Sequence, residues 1–283
     1  LYTYSSVPKV EKLVPIACPL CGAEKQRLFW QIPGARFVRC TECSHVYQNP
    51  QPIFEDLKNR YQEEYFHYEL ENEANFFNLM RLGLEDIHLT QWESNLRERG
   101  SFLDIGCATG MLLAYMQERG WQVQGVEICE ASARYGILQR GVPIFIGTLE
   151  EAPFKKESFS LVHASHLIEH LTDPVGFLVQ VHALLQPGGH FVLVTPNRSG
   201  FQARLLRRRW RSCIPDHLHL FSKESLRLLV QECGFQILRI QTWGGIAKGL
   251  APRWIKGLMD RAANKKYGFG DVMLLHLEKT DRS

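Results

Sequence analysis

No stretch of this 283-residue chain approaches the roughly 18 consecutive apolar residues that a membrane-spanning helix requires. Leu1 to Glu11 also lacks the basic-then-apolar build of a secretory leader. Net charge is scarce: the formal value of +3 is too small to imply a nucleic-acid partner by itself. Eight cysteines do not make a disulfide framework in a chain of this length, because four fall in two close pairs and four are scattered. That usage fits a reducing compartment, and the expected location is cytoplasmic. Two familiar chemical signatures are absent as well. There is no G-x-G-x-x-G dinucleotide fingerprint and no H-E-x-x-H metalloprotease helix. The length allows one large domain, or a domain with a small appendage.

What is present begins with Cys18, Cys21, Cys40 and Cys43, spaced C-x2-C-x18-C-x2-C. Each pair can turn two thiolates to one side of a tight turn, and two such turns complete a tetrahedral zinc site. Four protein thiolates leave the ion no open position, so the expected role is structural. Leu28-Phe29-Trp30 and Arg36-Phe37-Val38 are the expected strands of this ribbon. So small a unit draws much of its stability from the metal. His45 is expected at the surface, just past the ribbon. Asn49-Pro50-Gln51-Pro52 closes it. The boundaries expected are 1–52 for the ribbon, 53–100 for a helical lid or linker, and 101–283 for the main domain. Within the lid, helical spacing of Phe77, Met80, Leu84, Ile87 and Trp92 predicts one long amphipathic helix over 74–98.

The main domain is organised around Phe102-Leu103-Asp104-Ile105-Gly106-Cys107-Ala108-Thr109-Gly110. A short apolar strand runs into a glycine turn, and Met111 to Met116 then reads as a helix. Asp104, directly before the first glycine, would repel a pyrophosphate and suits a ligand carrying a cation. Glu127, at the end of the next apolar run, stands about where an acid accepts hydrogen bonds from ribose hydroxyls. An adenosine ligand with an ammonium group answers both. D-I-G-C-A-T-G together with G-V-E-I resembles the cofactor motifs of class I S-adenosylmethionine-dependent methyltransferases. C-P-L-C-G through R-C-T-E-C-S-H-V-Y-Q-N-P resembles the N-terminal zinc ribbon of a bacterial small-molecule and sugar-type group within them.

The resemblance implies an α/β Rossmann-like fold: a seven-stranded, mostly parallel sheet with helices on both faces, preceded by the ribbon and a helical lid. It implies S-adenosylmethionine, held by Asp104, Gly106, Cys107, Gly110, Glu127, Ile128, Thr148, Leu149 and Ser165. It also implies a tyrosine over the cofactor or substrate, for which Tyr65 is the match, and Asn197 at a strand end facing substrate.

Three histidines are candidate bases. His166 follows the strand Phe159 to Ala164, in Ser165-His166-Leu167-Ile168-Glu169-His170. The order H-x-x-E-H is also an inverted zinc motif, but no third ligand is evident in the sequence. His217 and His219 alternate with leucines in Pro215-Asp216-His217-Leu218-His219-Leu220, so an extended segment would turn both to one side. Arg198 to Arg211 holds six arginines and no acid. It reads as a solvated helix, a grip on a phosphorylated substrate through Arg207 and its neighbours, or a surface for RNA or anionic lipid. A basic amphipathic helix is expected from Trp254, between strands over Phe235–Thr242 and Val272–Lys279.

The expected activity is methyl transfer to oxygen or carbon of a polar small molecule, with sugar nucleotides and phosphorylated compounds among the candidates. An RNA methyltransferase that uses ribbon and arginines together is the second reading. A non-catalytic protein that keeps the cofactor fold is the third. Oligomeric state is not encoded in any of these motifs.

Overall fold

The computed structural model describes residues 11–60, 63–96, 98–244 and 268–280. The helix expected from Trp254 lies outside the described residues. Five short strands come first: β1 (Leu13–Val14), β2 (Gln26–Ile32), β3 (Ala35–Cys40), β4 (Val46–Gln48) and β5 (Gln51–Pro52). Helix α1 (Phe54–Lys58) leads to the lid, which begins earlier than the apolar spacing indicates. Helix α2 (Glu63–Asp86) is followed by the short α3 (Leu89–Ser94), and the break falls at His88, whose φ is 58°. A left-handed residue cannot continue an α-helix, so one apolar stripe is divided between two helices.

The main domain then alternates strand and helix: β6 (Ser101–Ile105), α4 (Met111–Glu118), β7 (Gln122–Glu127), α5 (Glu130–Tyr135) and β8 (Ile144–Ile146). Helix α5 runs on as a π-helical turn, Gly136–Arg140, which Gly141 ends at φ 65°. Next come β9 (Phe159–Ser165), a 3-10 turn at Ile168–His170, α6 (Pro174–Leu184) and β10 (Leu185–Pro196). Helix α7 (Phe201–Leu206), β11 (His219–Leu220), α8 (Lys223–Glu232), β12 (Phe235–Trp243) and β13 (Val272–Lys279) complete the fold. Ser222 caps α8 in a reciprocal capping box with Ser225.

The central sheet has seven strands in the order β12-β13-β10-β9-β6-β7-β8. β10, β9, β6, β7 and β8 run parallel, whereas β13 is antiparallel to both β10 and β12. This is the mostly parallel Rossmann-like sheet expected. Strands buried on both faces read as near-continuous apolar runs. Leu103, Val162, Leu193 and Leu275 pack with Phe177, Val181, Leu226 and Leu229 of α6 and α8. Their neighbours Phe102, Leu161, Val192 and Leu274 point to the other face, against Leu112 and Met116 of α4 and Leu84 of α2.

Strand order reverses between β6 and β9. Ligands of doubly wound sheets bind at such a switch point, outside the carboxyl ends of the strands. The glycine turn after β6 and His166 after β9 both stand there.

The ribbon is joined to the main domain through its sheet. β2, β3 and β4 form an antiparallel meander, and β11, 171 residues further on (from Gln48 to His219), adds a fourth strand beside β4. Phe37, Val46, Trp210, Ala203 and Leu220 share one buried cluster across this junction. No helix among the described residues is long and apolar enough to cross a membrane.

Candidate active site

The turn after β6 achieves its curvature with three left-handed residues: Gly106 (φ 71°), Ala108 (φ 49°) and Gly110 (φ 74°). At Gly110 a β-carbon would meet Val142 Cγ2 at 2.8 Å, so the position excludes a side chain on packing as well as conformation. Glu127, 5% exposed, sets the shape of this turn. Its Oε2 accepts from the Ala108 N–H (2.9 Å) and its Oε1 from the Cys129 N–H (2.8 Å). Burial pushes its pKa up, against the pull of those backbone donors. Cys107 is buried beside the turn, and Ile128 is half-buried directly after Glu127.

Asp104 lies near the end of β6, just before the turn. It is 2% exposed and paired in register with His163 of β9, whose Nδ1 lies 2.7 Å from its Oδ1. The pair sits below the turn and ties β6 to β9.

Helix α2 contributes acids that apolar spacing did not indicate. Glu69 is buried, accepts from Ser132 Oγ (2.6 Å) and is hydrogen-bonded by Tyr65. Burial, together with the neighbouring Glu127, raises its pKa to about 8. One helical turn on, Glu73 accepts from Thr109 and, at 2.5 Å, from Arg140. The lid therefore lies across the glycine turn, with Tyr65 and Glu69 on the Glu127 side. Two buried carboxyls side by side at the glycine turn offer hydrogen-bonding groups to paired hydroxyls, so the residues fit the ribose of an adenosine ligand. Thr148 and Leu149 follow β8. The Thr148 N–H donates to Glu151 (2.9 Å), and the Leu149 carbonyl accepts from Gln180 (2.9 Å).

At the end of β9, Ser165 is half-buried and His166 adopts φ 53°. A left-handed histidine is uncommon, and backbone strain of this kind clusters at functional sites. Leu167 lies 3.5 Å from where a β-carbon on Gly106 would stand, which puts this segment against the glycine turn. The His166 side chain is 44% exposed, with Nδ1 3.2 Å from Oε1 of the buried Glu169. Glu169 Oε2 accepts from Thr195 Oγ1 at 2.9 Å. Burial alone would raise the Glu169 pKa. The His166 hydrogen bond and the nearby His166, His170 and His217 overcome it and hold the pKa at about 2.

His217 and His219 do not share one setting. His217 Nδ1 lies 2.9 Å from the Ser212 carbonyl, its ring packs edge-on to His170, and burial lowers its pKa to about 3. His219 uses both ring nitrogens. Nε2 lies 2.8 Å from the Leu171 carbonyl, and Nδ1 lies 3.1 Å from His45 Nε2. Burial lowers its pKa to about 4. His45, expected at the surface, is 0% exposed. It is the ribbon's half of an imidazole clamp to the main domain, because β11 brings His219 beside β4.

Asn197 is also fully buried, and both ends of its amide are engaged. Nδ2 donates to the Gly270 carbonyl (2.9 Å), and Oδ1 accepts from the Ser199 N–H (3.0 Å). Arg207 lines a cavity of about 320 Å³ with Phe29, Trp30, Arg198 and Arg204, between the ribbon and α7. Arg211 is paired instead with Asp271 at 2.5 Å.

The four ribbon thiols converge: Cys18 and Cys43 lie 3.5 Å apart, and Cys21 and Cys40 3.6 Å apart. Sulfurs around tetrahedral zinc stand roughly 3.8 Å apart, from a metal–sulfur distance of about 2.3 Å. All four sulfurs lie within 4.8 Å of one another, so the donor set fits the ion.

A sequence profile described as "Methyltransferase domain" matches residues 76–240, more than half of the chain, and the chain belongs to this family. Ubiquinone biosynthesis O-methyltransferase of Pseudomonas aeruginosa is 34% identical over 103 residues, covering 34% of this chain and 44% of the relative. The protein of the same name from Idiomarina loihiensis is 36% identical over 105 residues, covering 34% and 42%. The match thus takes in less than half the length of either relative. Among solved structures, a SAM-dependent methyltransferase of Thermotoga maritima superposes with a TM-score of 0.54 at 23% identity, covering 76% of this chain and 98% of that one. An S-adenosylmethionine-dependent methyltransferase from Mesorhizobium loti gives 0.50 at 17%, covering 65% and 94%. Fold and family together define the chain as an S-adenosylmethionine-dependent methyltransferase.

Proposed function

We propose that this methyltransferase acts on a hydroxyl oxygen of a polar small molecule, with His166 as the base and a structural zinc in the ribbon. The observation that carries the reading is His166 itself: a part-exposed imidazole at the sheet's switch point, against the glycine turn and oriented by a buried carboxylate. The O-methyltransferase names of the curated relatives support oxygen as the acceptor.

In this reading Gly106, Gly110 and the backbone beside Cys107 let the cofactor approach. Glu127 takes its ribose, and Ile128, Thr148, Leu149 and Ser165 flank the rest of it. Asp104 acts through His163 to fix the ends of β6 and β9. When bound, S-adenosylmethionine supplies a methyl group already activated on a sulfonium. The chain must then align an acceptor, receive its proton and exclude water. His166 receives the proton, and Glu169 steadies the resulting imidazolium. Helix α2, with Tyr65 and Glu69, covers the site. His217 and His219, neutral and buried, position the loop that closes it, while Asn197 fixes the end of β10. Arg198, Arg204 and Arg207, around the ribbon-side cavity, suit an anionic group such as a phosphate on the acceptor.

The test is transfer of labelled methyl from S-adenosylmethionine into a fractionated cell extract, with small-molecule, RNA, lipid and protein pools counted separately. Label in the small-molecule pool is the expected outcome. Label that disappears with ribonuclease would refute the proposed acceptor class and favour RNA, as would a steep fall in binding with salt.

A further inference from the structure

Two residues of the H-x-x-E-H segment, Glu169 and His170, meet a third side chain that only the fold brings to them. His217, 47 residues beyond His170, brings its ring to a centroid distance of 4.7 Å from the His170 ring. One ligand atom each from Glu169, His170 and His217 lie within 4.8 Å of one another. We propose that these three side chains form a second metal site, separate from the ribbon thiolates, for a divalent transition-metal ion that activates the acceptor hydroxyl. The ion's role in catalysis rests on the methyltransferase reading given above; its binding does not.

Three features point to an ion rather than to a hydrogen-bonded cluster. The first is the tautomers. His170 Nδ1 lies 2.9 Å from the Asp216 carbonyl, and His217 Nδ1 lies 2.9 Å from the Ser212 carbonyl. A carbonyl can only accept, so Nδ1 carries the proton in both rings and Nε2 carries the lone pair. Metal-ligating histidines are fixed in just this way, with the second nitrogen donating to a backbone carbonyl or carboxylate. The second is charge. Glu169 is a carboxyl only 1% exposed, set beside the buried His217 and the half-buried His170. A buried carboxyl flanked by two imidazoles is a donor set that a bound cation would satisfy. The third is place. Glu169 and His170 lie on the 3-10 turn that follows β9, and His166, 44% exposed, stands between that turn and the strand with its Nδ1 3.2 Å from Glu169 Oε1.

Two imidazoles and one carboxylate suit zinc, manganese, iron(II) or cobalt(II) better than magnesium or calcium, which prefer all-oxygen shells. Three protein ligands also leave coordination positions open, as catalytic metal sites do. An ion there lowers the pKa of an acceptor hydroxyl. The hydroxyl proton passes to His166 and the oxygen forms its bond to the methyl carbon. The sulfur–methyl bond breaks with its electron pair staying on sulfur, so the sulfonium becomes a thioether. The positive charge lost by sulfur reappears on the protonated imidazole.

The experiment uses the full chain with its ribbon loaded with zinc, titrated with cobalt(II). One further equivalent should bind and give weak visible d–d absorption without thiolate charge-transfer bands. His217→Asn and His170→Asn should each weaken that binding by roughly 100-fold, the upper end of what removing even an outer-shell partner costs. Unchanged zinc content and S-adenosylmethionine affinity serve as the fold controls. If either variant fails to fold, the stoichiometry of the wild-type chain decides. A zinc-loaded wild-type chain that takes up no second ion at millimolar cobalt, or variants that fold and bind it undiminished, would overturn the site. Methyl transfer that proceeds at full rate after a mild chelator has removed the second ion would overturn its catalytic role and leave the methyltransferase reading intact. An ion that binds as described, with no label entering any small-molecule pool, would uphold the site and refute the acceptor class.

Discussion

Glu69→Gln should stabilise the protein, and by an amount that grows with pH. Glu69 lies buried between Ser132, Tyr65 and the second buried acid Glu127, with a pKa raised from 4.5 to about 8. A carboxyl whose folded pKa exceeds its unfolded value is protonated in the folded state while the unfolded chain ionises. Its contribution is therefore complete below about pH 4.5 and is lost progressively as pH rises to about 8, then stays constant. The interval from 4.5 to about 8 corresponds to on the order of 5 kcal/mol. The amide keeps the shape and the hydrogen-bonding capacity of the protonated acid and has no charge to lose. Urea unfolding of wild type and variant at several pH values checks this. Equal midpoints near pH 5 and a variant advantage of several kcal/mol near pH 9 are expected. A difference that does not change with pH would refute the reasoning, because the stability gain would then not come from an ionising Glu69 under the lid.

Cys21→Ser should remove the ribbon's bound zinc, read by atomic absorption. It should also slow methyl transfer while S-adenosylmethionine still binds, because β11 is paired to the ribbon's β4 but not to the cofactor turn. Gly110→Ala places a β-carbon 2.8 Å from Val142 Cγ2 at φ 74°, so it should cost roughly 1–3 kcal/mol in unfolding free energy and weaken cofactor binding. His219→Ala leaves His45 Nε2 and the Leu171 carbonyl without their imidazole partner, and thermal unfolding should show a loss of about 1–3 kcal/mol for each. His219 and His276 both have pKa values lowered to about 4 by burial, so their stabilisation is complete above about pH 6.5 and declines as pH falls toward 4. The acid limb of the stability profile should accordingly become shallower in His219→Ala, by up to about 1.4 kcal/mol per pH unit.

Features written in neighbouring residues were legible before the structure. The Asp104–Gly110 turn, the cysteine pairs and the run of an apolar strand into a glycine turn and helix each depend on spacings of a few positions. The features that were not legible are contacts between distant segments. His45 and His219 are 174 residues apart, and their clamp requires β11 to join the ribbon sheet. Asp104 and His163 are 59 apart and meet only because β6 and β9 are neighbours in register. Glu69 lies on a helix whose apolar spacing shows only the face toward α4, and its link to Ser132 spans 63 residues. Glu169 was legible in the H-x-x-E-H segment, whereas the approach of His217 was not. The lid was read as one helix because apolar spacing continues past His88, and a left-handed residue leaves no mark on that pattern.

The most direct test of the account is His166→Ala, with methyl-transfer rate and S-adenosylmethionine affinity measured on the same preparation. Loss of a general base at the sheet's switch point should lower the rate by about 10²–10⁴-fold and leave cofactor affinity unchanged. A variant that turns over at the wild-type rate would contradict the assignment of the reacting centre to the end of β9.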